Sequence, residues 1–569
     1  MAITPTGPSA EVRHRAPHVP HRTRPSALQA ACVAGAAVAA LGAYAWPAGV
    51  MAQNMPGAGA YSLPSPLEGN AQPAAPGSTG KEARQQPFSW RISAEETLTD
   101  NVNLEPASVR KSDAVTRIAP GFSVNYRSGR VRLEGDVDLP ILLYARTGGQ
   151  NNRIQPLANV TGRLEAVDNL IYVDASAQIQ QTYFTPFAPT STAIENNPQN
   201  AYTSYTYHVS PYLRYGSGDY SYLLRDNNIW TNVNSAPTAT NNAYTNELVG
   251  EVRRNPTPLG WSADYQRNDV QFTEHQSQLV ELARFSGLAR PDRELELSAS
   301  VGYENDRFVL EEQSGIIYGA GVRWRPSERL HFDANWEHRV FGPSYRVRLE
   351  DRTQLAVWSV EAARQITSYP ELLATLPAGS VPTLLDSLFS SRVPDPTERQ
   401  QFVQQFINAR GLPQTLGDPL AIYTTQLHLE EHVGISYGIV GARNSIFLRV
   451  YRSRTEPLGS ADTTDALLST ALNSTQTGAS LTWSHQLQPR MRFSLSYEQR
   501  YVKSNDPIDV VSTGNASAHE TSLNALLSVL LSTKTRVFGG VRYQRQRTDF
   551  GTGGYDESAL FAGINYAFH

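Results

Sequence analysis

From Phe88 onward the chain alternates apolar and polar residues with a period of two, and it does so over nearly five hundred residues. Phe88, Trp90, Ile92 and Ala94 share one parity, with Ser89, Arg91, Ser93 and Glu95 on the other. Val131, Leu133, Gly135, Val137, Leu139 and Ile141 stand against Arg132, Glu134, Asp136 and Asp138. Leu295, Leu297, Ala299, Val301 and Tyr303 stand against Glu294, Glu296, Ser298 and Ser300. Near the end, Met491, Phe493, Leu495, Tyr497 and Tyr501 face away from Arg492, Ser494, Ser496, Glu498 and Arg500. Successive side chains of a strand point to opposite faces, so each segment has one apolar and one charged face.

A soluble β-sandwich also alternates, so the period alone does not choose between folds. The segments are commonly about 10 to 15 residues long, where sandwich strands run nearer about five or six. Their connections alternate between short and long. Arg127-Ser128-Gly129-Arg130, Gly216-Ser217-Gly218-Asp219, Arg325-Pro326-Ser327-Glu328 and Gln488-Pro489-Arg490 are short turns. Longer polar loops at 184–200, 227–242, 456–473 and 504–517 lie between them. Short periplasmic turns and long outer loops are the asymmetry of an outer-membrane barrel. The last strand carries Leu560, Ala562, Ile564, Tyr566 and Phe568, an apolar stripe running almost to the C-terminus, with only His569 beyond it.

Composition agrees. Mean hydropathy is −0.39, yet the chain has 27 Tyr, 18 Phe and 8 Trp. A wet interior and aromatic girdles give that balance. The fold expected is therefore all-β, a transmembrane antiparallel barrel of about 22 strands, within a range of about 18–26. An even count returns the C-terminus to the periplasmic side on which residue 88 starts. Outer-membrane lipid is one expected partner. The stripe ending at Phe568 resembles the terminal-strand signal read by the barrel insertion machinery, a second one.

The N-terminus reads as a signal peptide over residues 1–52. Arg13, Arg15, Arg22 and Arg24 make a basic region, Ala27 to Ala45 is apolar, and Val50-Met51-Ala52 offers a cleavage site before Gln53. The alternative is a short membrane anchor, which Pro47 disfavours. Cleavage removes four Arg and one Glu, moving the formal charge from −4 to −7. A mildly acidic chain has no global footprint for nucleic acid. The single cysteine, Cys32, lies in the apolar part of the signal, so the mature chain has no disulfide or thiolate metal site. Residues 53–87, rich in Pro, Gly and Ala, read as a flexible periplasmic segment ahead of a barrel over 88–569.

One stretch, 367–420, leaves the period of two. Asp395 can cap a helix, Pro396 suits its first position, Glu398 completes a capping box, and Gly411 stops it. Phe402, Val403, Phe406 and Ile407 share one face, and Leu384, Leu385, Leu388 and Phe389 make a shorter piece. This small helical insert is either a surface loop of two packed helices or a constriction of the barrel.

No catalytic, cofactor-binding or metal residue is assigned. Gly434-Ile435-Ser436-Tyr437-Gly438 matches a nucleophile pattern, but that pattern needs a strand, sharp turn and helix, and this one ends a β-segment. Twelve His are scattered. His208, His275, His331 and His338 share no motif, and His428 and His432 are four apart on a strand, the wrong spacing for one metal. Arg132, Glu134, Asp136, Asp138, Glu294, Glu296, Asp333, Glu337, Arg492, Glu498, Arg500, Arg536 and Arg542 are expected in the lumen, paired and hydrated or lining a solute path.

Thr97-Leu98-Thr99-Asp100-Asn101-Val102-Asn103, Ile118-Ala119-Pro120-Gly121, Phe341-Gly342-Pro343-Ser344-Tyr345 and Trp358-Ser359 follow in order along the chain. With Asp395-Pro396, Gln401 to Phe406 and Gly411-Leu412-Pro413, they resemble the outer-membrane β-barrel family associated with PEP-CTERM/exosortase systems. Val360-Glu361-Ala362 after Trp358-Ser359 departs from a strictly alternating run. The resemblance implies a role in exopolysaccharide production or export, or in sorting of PEP-CTERM surface proteins. It implies exopolysaccharide or export-system components as partners, and it supplies no catalytic residues. The leading expectation is a non-enzymatic pore or assembly component of exopolysaccharide export. The alternatives are a general or substrate-specific diffusion porin and an outer-membrane lipid or polysaccharide hydrolase.

Overall fold

In a computed structural model, residues 87–568 are described, apart from 235–240, 273–276, 309–311, 375–379, 414, 422–423, 425, 459–472, 508–514 and 550–553. Residues 1–52, read above as a signal peptide, and most of the segment 53–87 lie outside the described residues, as does His569.

The alternating segments form one closed antiparallel sheet. In chain order the strands are β1 (Phe88–Thr99), β2 (Asp113–Arg127), β3 (Val131–Asp138), β4 (Ile141–Tyr144), β5 (Arg153–Ile154), β6 (Leu157–Val167), β7 (Ile171–Tyr183) and β8 (Ala201–Ser217). They continue as β9 (Tyr220–Asn234), β10 (Asn241–Arg254), β11 (Leu259–Phe272), β12 (Gln278–Ala289), β13 (Leu295–Arg307), β14 (Glu312–Trp324), β15 (Leu330–Arg339) and β16 (Gly342–Arg352). The last eight are β17 (Ala356–Thr367), β18 (His428–Val440), β19 (Asn444–Pro457), β20 (Ser474–Gln488), β21 (Met491–Pro507), β22 (Asn515–Leu530), β23 (Thr535–Thr548) and β24 (Tyr555–Phe568). β3 and β4 both pair with β2 and form one interrupted stave; β5 and β6 form the next. The 24 segments thus make a barrel of 22 staves. It closes where β1 meets β24, from Trp90 opposite Phe568 to Thr99 opposite Ala559. Closure leaves no unpaired strand edge, the condition for placing a sheet in hydrocarbon.

The parity expected from sequence holds along the walls. Ile92, Leu297, Val301, Ile316, Val433, Ile435, Leu448, Val450, Val541, Leu560 and Ile564 are exposed on the outer surface, where lipid replaces water. Their neighbours Ser93, Glu296, Ser436, Arg449 and Asn565 are buried inside. A Lys or Arg on the outer face at mid-height would cost about 2–4 kcal/mol, so the alternation fixes register as well as fold. Near the turn end, Tyr220 stacks on Tyr222 and meets Trp261 edge-on at 6.3 Å, and Trp261 stacks on Phe285. Toward the loop end Trp230 packs on Tyr244 at 5.5 Å. These are rings at the two interfaces of the bilayer. The chain is an outer-membrane barrel.

The connections at the end that holds Phe88 and Phe568 are all short, and the long ones sit at the other end, which also has the tight turn Val340-Phe341 between β15 and β16. The strands run further into the loop end than expected: β9 and β10 take up most of 227–242, and β21 and β22 half of 504–517. Asp100 and Asn101 tie the first outer loop to the closing strand. Ser558 donates its N–H to Asp100 Oδ1 at 2.8 Å, and Asn101 Nδ2 donates to the carbonyls of Glu105 and Asp556.

Candidate functional site

The space inside a 22-stave barrel is too wide for wall side chains to fill, so what enters it decides what can pass. Among the described residues, two long connections from the loop end turn inward. The larger, between β17 and β18, spans 368–427 and carries helices α1 (Tyr369–Ala374), α2 (Val381–Phe389) and α3 (Pro396–Arg410).

This insert reaches the opposite end of the lumen and comes back. α1 lies across the mouth, where buried Tyr369 and Leu373 pack on Tyr202 and Val233 of β8 and β9. It begins with a capping box: Glu371 N–H donates to Ser368 Oγ at 3.4 Å, and Ser368 N–H donates to Glu371 Oε2 at 2.9 Å. Asp395 Oδ1 accepts the Glu398 N–H at 2.9 Å at the start of α3. α2 and α3 pack through Leu384, Leu385, Leu388, Phe389, Val403 and Ile407. Their shared core continues onto Val357, Val440 and Phe447, wall residues that face inward near the turn end. At that depth Arg352 Nη1 donates to the Ser387 carbonyl at 2.9 Å, and Arg410 Nη2 donates to the Ala442 carbonyl, in the turn after β18, at 3.0 Å. The insert is therefore a constriction within the lumen, the second of the two expectations, and its span differs slightly from 367–420.

The returning segment is held to the wall by polar bonds. Gly417 N–H donates to Ser480 Oγ at 3.0 Å, and Leu420 N–H to Gln476 Oε1 at 2.9 Å. The central anchor is Arg449 on β19, of which 1% is exposed. Its Nε lies 2.8 Å from Asp418 of the insert, its Nη2 2.8 Å from Glu361 Oε1 on β17, and its Nη1 donates to Ser436 Oγ at 2.9 Å. His432 Nε2 is 3.1 Å from the same Glu361 oxygen.

The second inward connection, 184–200 between β7 and β8, crosses to the closing strands. Thr190 Oγ1 donates to Glu520 at 2.7 Å and Ser191 Oγ to Gln544 at 2.9 Å. Glu195 sits between Arg117, at 3.4 Å, and Arg542, at 3.7 Å. Beside both segments runs a cavity of about 1040 Å³, lined from Thr190 and Glu195 at the mouth to Arg492 and Arg536 near the turn end.

Most of the charges expected in the lumen are there and paired. Arg91 bridges Asp136 and Asp138, Arg284 holds Glu337, Arg323 holds Asp333 and Glu296, Arg500 holds Glu520, and Arg542 holds Glu557. Arg132, Glu134, Glu498, Arg492 and Arg536 share the inward parity. Glu294 is a correction: it precedes β13 in an exposed turn, its N–H bonded to Asp292, because the strand starts one residue later than the alternation suggests. Ser436 of the nucleophile-like motif lies mid-strand and accepts a hydrogen bond from Arg449, with no sharp turn or helix after it. His428 and His432 are not brought together with other ligands; among the described residues no group of three His, Cys, Asp or Glu could hold a metal.

Glu371 introduces a pH dependence. Burial, together with the charge of Glu247 on β10, pushes its carboxyl up to about 7 from an ordinary 4.5. Docking of α1 is therefore strongest below about pH 4.5 and weakens as pH rises through 7, where the buried carboxyl must ionise. We expect hydrogen-exchange protection of α1 to fall across that window, and Glu371→Gln to flatten the profile. Parallel profiles for the two proteins would refute this assignment.

No protein-family model and no curated protein matches the chain. Among solved structures it is similar to the FrpB iron transporter of Neisseria meningitidis (F3-3 variant), with 9% identity, TM-score 0.44, and 85% of this chain and 82% of that one covered. It is similar to the siderophore receptor PirA of Acinetobacter baumannii, with 8% identity, TM-score 0.44, and 84% and 80% covered. It is also similar to OccK2 (OpdF) of Pseudomonas aeruginosa, with 10% identity, TM-score 0.32, and 84% and 98% covered.

Proposed function

We propose that the protein is an outer-membrane pore, or the pore component of an assembly, for polar solutes, in which the insert 368–427 sets how much of the lumen is open. The observation that carries this reading is the cavity beside the insert, lined by many polar and charged residues, in a barrel otherwise too wide to be closed by its own side chains. Inward Ser, Asn, Gln and ion-paired residues keep such a path wet and offer hydrogen bonds to a hydroxyl-rich solute. The resemblance in sequence supports placing the pore in exopolysaccharide production or export, and we propose export-system components as its partners. The terminal strand ending at Phe568 is the segment we propose the insertion machinery reads. A diffusion porin is the second reading, favoured by the size of the cavity. A hydrolase has no support among the described residues, since Ser436 is engaged by Arg449 and His432 by Glu361.

Two measurements test this. Purified full-length protein in planar bilayers should conduct in discrete steps; a silent barrel would sink the pore. A strain lacking the protein should secrete markedly less exopolysaccharide. Normal secretion with intact conductance would leave the diffusion porin and remove the export role.

A further inference from the structure

We infer that Arg492 and Arg536, with Arg410 behind them, form an oxyanion site in the lumen, and that the pore's solutes carry carboxylate or phosphate groups. The second half rests on the pore reading above; the binding site stands without it.

Several buried arginines of the lumen face a carboxylate: Arg449 has Glu361 and Asp418, Arg500 has Glu520, and Arg542 has Glu557. Arg492 differs. The charges acting on it come from Arg536 and Arg410, both positive. Arg492 lies opposite Ser528 on β22, and Arg536 opposite Leu530 of the same strand, so the two guanidinium-bearing residues stand at neighbouring levels two staves apart. Arg410 is brought to this place by the end of α3, its carbonyl accepting the Ser484 hydroxyl at 2.9 Å, and Ser484 pairs with Ser494 beside Arg492.

Two nitrogens, Nε of Arg492 and Nη1 of Arg410, are buried with no hydrogen-bond partner among the described residues. Leaving a buried guanidinium N–H unpaired is unfavourable, and a planar fork of such donors matches a carboxylate or phosphate in a bidentate way. Gly411 makes room. Its φ is +55, which favours glycine, and a Cβ there would come within 3.0 Å of Arg492 Nη1. Ser494, Asn524 and Ser528 line the same part of the cavity and supply neutral hydrogen-bonding groups around the anion. Holding the like charges of Arg492 and Arg410 together costs stability, and a bound anion removes that cost.

The test uses full-length protein in detergent and isothermal calorimetry with sodium glucuronate, inorganic phosphate and glucose. At least one of the anions should bind, glucose should not, and Arg492→Gln should weaken anion binding about tenfold, the change expected from one charge-assisted hydrogen bond. Arg492→Lys should retain part of it. Binding of phosphate alone assigns phosphorylated solutes, and binding of glucuronate alone assigns carboxylated ones. Binding of neither anion, or an Arg492→Gln protein that binds like the parent, overturns the site. Heat-modifiable migration on gels reports that the variant is folded; should it fail, Arg536→Gln takes its place with the same criterion. In bilayers under a KCl gradient the parent should be anion-selective and the variant less so. If the parent carries no current while calorimetry still shows the Arg492-dependent site, the pore reading fails and the site remains.

Discussion

Replacing residues 369–426 by a short Gly/Ser linker is expected to raise single-channel conductance on the order of tenfold, because barrels of about 16–18 strands already leave an aqueous channel and 22-stranded ones are plugged. The wall should survive the excision. Its backbone hydrogen bonds run between neighbouring strands, and β17 pairs with β18 directly from Ala356–Ile439 to Thr367–His428 without help from the insert. What the excision exposes is the inward apolar patch of Val357, Val440 and Phe447, now buried under α2 and α3. Wetting that patch is unfavourable, so the companion variant Phe447→Ser, in the deleted background, should restore yield without lowering conductance. Single-channel recordings before and after excision decide the matter. Unchanged step size would mean that the cavity beside the insert already carries the full current, and that the insert positions groups in the path and does not restrict it.

How much of this was legible in the sequence depends on which force set each feature. The walls were legible because bilayer and wet lumen impose a two-residue repeat on every strand; even the count of staves follows from it. Strand ends were less so. Asn227, Asn228 and Asn232 and, opposite them, Asn242 and Asn246 interrupt the alternation, so despite Ile229, Trp230 and Val233 these stretches look like loop while pairing as β9 and β10. The helices of the insert announced themselves through Asp395, Pro396 and Gly411, but their destination did not. It was written in the wall: Ile446-Phe447-Leu448 is apolar on both parities, as is Ala356-Val357-Trp358, and an inward apolar residue in a wet barrel requires a cover. Ser368 to Glu371 also has the spacing of a capping box and marks the start of the insert, a signal the alternation obscured. The anchor was illegible for a different reason. Glu361, Asp418, His432 and Arg449 come from three strands and the insert, and each alone reads as one more hydrated lumen charge.

That anchor carries the second large effect. In Arg449→Met the apolar stem is kept and the charge is lost, so Glu361 and Asp418 are left buried with no guanidinium between them. Removing one partner of a buried ion pair costs about 3–5 kcal/mol, because the remaining charges stay desolvated and uncompensated. The wall can absorb little of this by moving, since β19 is fixed by pairing on both sides. The insert can, by withdrawing Asp418 into water and giving up the bonds of Gly417 to Ser480 and Leu420 to Gln476. We therefore expect the loss to appear as release of 411–421 while the barrel stays folded: hydrogen exchange in this segment should rise by orders of magnitude, and the strands should keep their protection. Conductance should become larger and unsteady. The triple variant Arg449→Met, Asp418→Leu, Glu361→Gln removes the stranded charges together with the arginine and should recover most of the protection, as replacing a whole buried ionic cluster by neutral groups commonly does. If Arg449→Met alone keeps 411–421 as protected as in the parent, the insert is held by the apolar contacts of α2 and α3, and the ion cluster serves only to balance charge. If the triple variant is as loose as the single one, Arg449 acts through its shape and its bond to Ser436, and the electrostatic account of the anchor is wrong.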